Sequence, residues 1–169
     1  GSLRQAIEYT NADSGTETIK FNIPTSDSGY NASTGTFTIS PTSYLPYITG
    51  TVIIDGTTQP GFNKITNAPI IELNGISAGQ NIRGLELMYS SGGSTIQGLV
   101  INRFTDVGIQ VYSSGNIIRG NYLGTDVTGK VALGGAAGIS ISGNNNTVGG
   151  TTATERNVIS GNNTYGAIL

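Results

Sequence analysis

The chain has 169 residues, a formal net charge of −2 and only 11% charged residues, against roughly 25% in an ordinary soluble domain. It contains neither a basic run nor a stretch of about 20 apolar residues, which argues against a nucleic-acid binder and a membrane-spanning helix. With no Cys and no His it has no disulfides, no thiol chemistry and no histidine base or ligand, while 26 glycines point to many tight corners rather than disorder.

In chain order, Gly1-Ser2 is either native or a cloning remnant, and Ser2-Leu3-Arg4-Gln5 fits a capping box with Ser2 as N-cap and Gln5 three residues on. Leu3, Ala6 and Ile7 then give a short helix with one apolar face, a lid for the end of a stacked core. Thr18–Ile23, Phe37–Ile39, Thr51–Asp55 and Ile70–Leu73 read as strands, separated by turn-rich loops over Pro24–Thr36 and Gly56–Pro69.

From Ser94 onward a repeat emerges. Ser94–Gly98, Asn116–Gly120 and Asn146–Gly150 are alike, and each is followed by a second short strand (Leu99–Asn102, Asn121–Gly124, Asn157–Ser160). Third strands open at Gly108, Gly138 and Gly166, which stand 30 and 28 residues apart. Alternation directs Ile109, Val111, Ile139 and Ile141 inward, and Gln110 and Ser140 outward. Stacked repeats would align Ile96, Ile118 and Val148 inside and Gln97, Arg119 and Gly149 outside, with Asn116, Asn146 and Asn157 capping turns or forming ladders.

This pattern predicts an all-β class: a right-handed single-stranded parallel β-helix, a solenoid with a short N-terminal capping helix. A single domain is expected over 1–169, with the cap at 1–12 and coils over 18–169, as a fragment or subunit of a larger assembly. Thr125–Ala137 and Thr151–Arg156 read as insertions, the usual place for binding surfaces. The strand pattern at Gly166–Leu169 has no lid, so further coils of the same protein, or self-association through that end, are the expected partners.

Ser2-Leu3-Arg4-Gln5-Ala6-Ile7 resembles the N-terminal cap of large bacterial β-helix surface proteins, in which a Cys commonly stands where this chain has Gly1. The runs Ile53–Phe62, Gly98–Phe104, Gly120–Asp126, Gly149–Thr152 and Arg156–Asn162 resemble the same proteins, in the same order along the chain. The resemblance implies a pectate-lyase-like β-helix at the cell surface or outside the cell, in a family mostly without assigned activity. Some proteins of that fold cleave or bind polysaccharide, but a fold does not by itself carry a function.

Catalysis on a polysaccharide would need clustered carboxylates or a base beside acidic groups. The five Asp and five Glu are scattered, and Arg119 with Asp126 is the best pair the sequence offers. A solvated Arg and a turn-forming Asp explain the two better than catalysis does, so no catalytic residue is assigned. Asp126 alone is a poor basis for a Ca²⁺ site, and no other metal or cofactor is expected. Tyr112 and Tyr122 are candidates for stacking on a sugar, against an alternative role as corner packing. The functional expectation is a structural or adhesive extracellular scaffold (stalk, adhesin segment or filament subunit) rather than an enzyme. The alternative is a module that binds or cleaves polysaccharide.

Overall fold

The computed structural model describes residues 1–169. Helix α1 spans Leu3–Ala12 and precedes fifteen strands: β1 Glu17–Lys20, β2 Tyr30–Asn31, β3 Thr36–Ile39, β4 Val52–Asp55, β5 Ile71–Asn74, β6 Leu85–Leu87, β7 Thr95–Gln97, β8 Leu99–Asn102, β9 Val107–Val111, β10 Ile117–Arg119, β11 Tyr122–Leu123, β12 Ala137–Ile141, β13 Thr147–Val148, β14 Val158–Ile159 and β15 Tyr165–Ile168. They form three sheets, ordered β1-β4-β7-β10-β13, β14-β11-β8-β5-β3-β2 and β15-β12-β9-β6. From β4 on, consecutive strands fall in different sheets and pair with strands of the preceding and following circuits; all pairs are parallel except β2 with β3.

The expected all-β, single-stranded parallel β-helix solenoid is corrected in three respects. The architecture is α/β, with one ten-residue α-helix beside three mostly parallel sheets. The sheets are separate and open, and none closes on itself. The stretch Pro24–Thr36, read as loop, contributes β2 as an antiparallel edge, because Tyr30 packs its ring 4.8 Å from that of Phe37. β6 was not foreseen, since Leu85-Glu86-Leu87 is too short to stand out from its surroundings. Its register with Ile109–Val111 makes it a strand.

The stacking predicted for individual residues is observed in register but only in part in burial, since Val148, expected inside, is 38% exposed and Ile141 is half-buried. Ile118 lies in register with Ile96 on one side and Val148 on the other, and Arg119 with Gln97. Ile54, Ile96 and Ile118 form a column without solvent exposure. Each such side chain contributes about 1.5–3 kcal/mol by leaving water. Ile109 and Ile139 are likewise buried, but Gln110, expected outside, is only 5% exposed. It stands between Glu86 and Ser140 in its sheet, and its amide reaches the Ser140 carbonyl at 3.4 Å.

The asparagines form two ladders. Asn146 Oδ1 accepts from both the backbone N–H and the side-chain amide of Asn116, each at 2.8 Å, and Asn116 Oδ1 accepts from Ser94 N at 3.0 Å. Asn157 Oδ1 accepts from Asn121 N at 3.0 Å, and Asn121 Oδ1 from Leu99 N at 3.0 Å. The amide thus satisfies backbone donors at corners where the sheet ladder breaks. At the N-terminal end, Ser2 Oγ caps Gln5 N at 3.2 Å. The Gln5 amide turns instead to Tyr9 Oη at 2.9 Å, so the capping box is only half formed. Leu3 and Ile7 belong to the core cluster and cover that end of it. At the other end β13, β14 and β15 stand last in their sheets, and Leu169 is 92% exposed.

Candidate functional site

Two loops leave the sheets on the same side and meet. The first follows β4, where Asp55 Oδ1 accepts from Thr57 N at 2.9 Å and from Thr57 Oγ1 at 2.6 Å and so starts a 3-10 turn over Gly56–Thr58. The second carries a 3-10 turn over Ala153–Glu155. There Glu155 Oε2 accepts from Thr151 N and Thr152 N, each at 3.1 Å, and from Thr152 Oγ1 at 2.9 Å. The Asn67 amide donates to the Thr154 carbonyl at 2.6 Å and ties one loop to the other.

Between them lies a cleft of about 340 Å³ whose floor is Gln97, Gly98, Arg119 and Gly120, with Phe62 and Lys64 in the first wall and Thr154 and Glu155 in the second. The floor depends on its glycines: Gly98 and Gly120 have φ of 70° and 63°, which L side chains rarely adopt. A Cβ on Gly98 would also stand 2.7 Å from Thr57 Cγ2.

Arg119 is fixed across the cleft floor. Its Nε donates to Gln97 Oε1 at 2.9 Å and its Nη1 to Glu155 Oε1 at 3.0 Å. Thr152 above all, and then Arg119 and Thr151, hold the Glu155 carboxyl below the usual carboxylate range against an opposing desolvation. It therefore stays ionised as a partner and cannot serve as a proton donor near neutral pH.

The structure does not bring Arg119 and Asp126 together. Asp126 lies in the loop closed by the Thr125–Ala132 bridge. Its carboxylate accepts from Thr128 Oγ1 at 2.8 Å and from Lys130 N and Val131 N, each at 3.1 Å. Desolvation is the largest single influence and raises its pKa, but the bonds from Val131, Thr128 and Lys130 together outweigh it and hold the carboxyl below the ordinary value. No group of three or more Asp, Glu, His or Cys converges as metal ligands would, and no helix is long and apolar enough to cross a membrane.

The two candidate tyrosines differ in setting. Tyr122 stands between Val100 and Val158 in its sheet, and the backbone at Gly129 lies over its ring. Tyr112 packs its ring 5.5 Å from that of exposed Tyr89, and its hydroxyl accepts from Arg83 Nη1 at 3.0 Å. Arg83 also pairs with Glu86 at 2.8 Å and Asp106 at 2.9 Å. Desolvation opposes its charge, but the Asp106 and Glu86 bonds prevail and raise its pKa further. The sequence places Gln97 beside Arg119 in one outer column, but Glu155 and Lys64 were missed as companions in the same cleft. The available signal was the register of Gln97 with Arg119 together with the insertion that carries Glu155.

Compared with known proteins, the chain matches no family model, no curated protein and no solved structure.

Proposed function

We propose that this chain is a structural, adhesive scaffold that works at the cell surface or outside the cell, and that it is not an enzyme. The observation that supports this reading is the commitment of its more enclosed carboxylates to internal partners. Glu155 and Asp126 are saturated by loop donors. Glu72 accepts from Thr38 Oγ1 at 2.7 Å and Asn102 Nδ2 at 2.8 Å. Glu86 and Asp106 share Arg83. A general acid must be free to gain and lose a proton beside a substrate, and carboxylates fixed in this way instead hold loops onto sheets. The amide ladders add to the same picture of a rigid frame.

The test is to immobilise the protein and expose it to a panel of neutral and acidic polysaccharides, with and without Ca²⁺, measuring retention and chain length together. Retention of at least one polymer at unchanged chain length is expected. Shortened chains would refute the non-catalytic reading, and no retention of any polymer would refute the adhesive one.

A further inference from the structure

The cleft over Gln97 and Arg119 carries an imbalance of hydrogen-bonding groups and charge. Arg119 commits Nε and Nη1, leaving both N–H groups of Nη2 without a protein partner. Gln97 offers its oxygen to Arg119, so its Nε2 donors are open as well. Lys64, in the wall above, makes no ion pair. On the acceptor side, Glu155 already receives Arg119 on one oxygen and three loop donors on the other. What remains open is therefore mainly donors, two of them on cations.

Charge gives the same answer. The outer column of the first sheet runs Lys20, Asp55, Gln97, Arg119 in register. Asp55 is flanked by Lys20, and Arg119 is paired with Glu155 at 3.0 Å, so the column is formally balanced. Lys64 is then the surplus charge, and it lines the same cleft as the fixed guanidinium. Arginine presents a planar fork suited to carboxylate and sulfate oxygens, and lysine adds a mobile point charge.

We propose that this cleft binds an oxyanion, a carboxylate or sulfate group, held by Arg119 Nη2 and Gln97 Nε2 on the floor and by Lys64 from the wall. The inference rests on the adhesive reading only for its biological sense, since such a group is what an acidic surface polymer would present. The geometry applies equally to a free anion.

Isothermal titration of the whole chain with sodium sulfate, sodium glucuronate, dextran sulfate, carboxymethyl dextran and unmodified dextran tests it. Binding of the charged probes and not of dextran is expected, weakening as NaCl rises. Equal affinity per anionic group for free sulfate and dextran sulfate would assign the site to free anions, and a polymer-only response would assign it to polymer-borne ones. Lys64→Ala should weaken binding about fivefold and Lys64→Glu at least about tenfold, since one exposed charge contact is worth up to about 1 kcal/mol. Lys130→Ala, outside the cleft, should change nothing. Dextran bound as well as its charged derivatives, an unaltered Lys64→Glu variant, or no binding of any charged probe would each overturn the proposal. Retention of neutral polymers alone would sink the oxyanion site and leave the adhesive reading standing.

Discussion

Asn121 offers the sharpest test of how the frame is held. It has no solvent exposure and makes three side-chain bonds: from Leu99 N to its Oδ1 at 3.0 Å, and from its Nδ2 to Ile96 O at 2.9 Å and to Asn157 Oδ1 at 3.3 Å. Replacing it with Ala removes all three and leaves the Leu99 N–H and the Ile96 carbonyl without these partners in a dry corner. Each stranded buried group costs about 1–3 kcal/mol, so the variant should lose about 4 kcal/mol. With a urea slope of about 2 kcal/mol/M, the unfolding midpoint should fall by about 2 M at unchanged slope. Asn163→Ala is the control, because that side chain is exposed and makes no hydrogen bond; its stability should match the parent's within about 0.5 kcal/mol. A loss for Asn121→Ala below about 1 kcal/mol, or no larger than that of the control, would refute the claim that the amide ladders carry the corners.

Three further outcomes follow from the geometry. Ile118→Ala, in the unexposed column between Ile96 and Val148, should cost about 2–5 kcal/mol in the same urea experiment, whereas Ile65→Ala, at a residue 94% exposed, should cost almost nothing. Gly75→Ala should destabilise strongly or prevent folding, because its Cβ would stand 2.6 Å from the Phe104 ring and 2.7 Å from the Phe104 nitrogen; circular dichroism and solubility report this. The Glu155 carboxyl is held below its ordinary value of 4.5, so its contribution to holding the 151–156 loop is present above that value and is lost as pH falls through the lower folded value. Protease nicking of that loop should therefore increase in acid for the parent and show a weaker pH dependence in Glu155→Gln.

Much of the strand placement follows from local pattern. Gly108, Gly138 and Gly166 mark successive strands of one sheet, where Ile109 and Ile139 fix the register as Ile96, Ile118 and Val148 do in another, since a slip by one residue would turn each side chain to the opposite face. The helix start is equally local, resting on the Ser2 cap. The class expectation had to be corrected because pattern reports strands but not how sheets close or which edges pair. β2 and β6 exist through contacts with distant segments and carry little signal of their own.

The candidate site divides in the same way. The amino-acid sequence alone determines that Gln97 and Arg119 are equivalent positions of adjacent repeats, because backbone periodicity puts them on one face. It also determines that no histidine or cysteine chemistry can occur here. Only the tertiary structure decided that Arg119 pairs with Glu155 and not Asp126. The two loops are 87 residues apart at Asn67 and Thr154, and their docking follows from where the sheets direct them. A hydrogen bond over that separation has no local signature, so the cleft, its open donors and the unpaired Lys64 become visible only once the chain is folded.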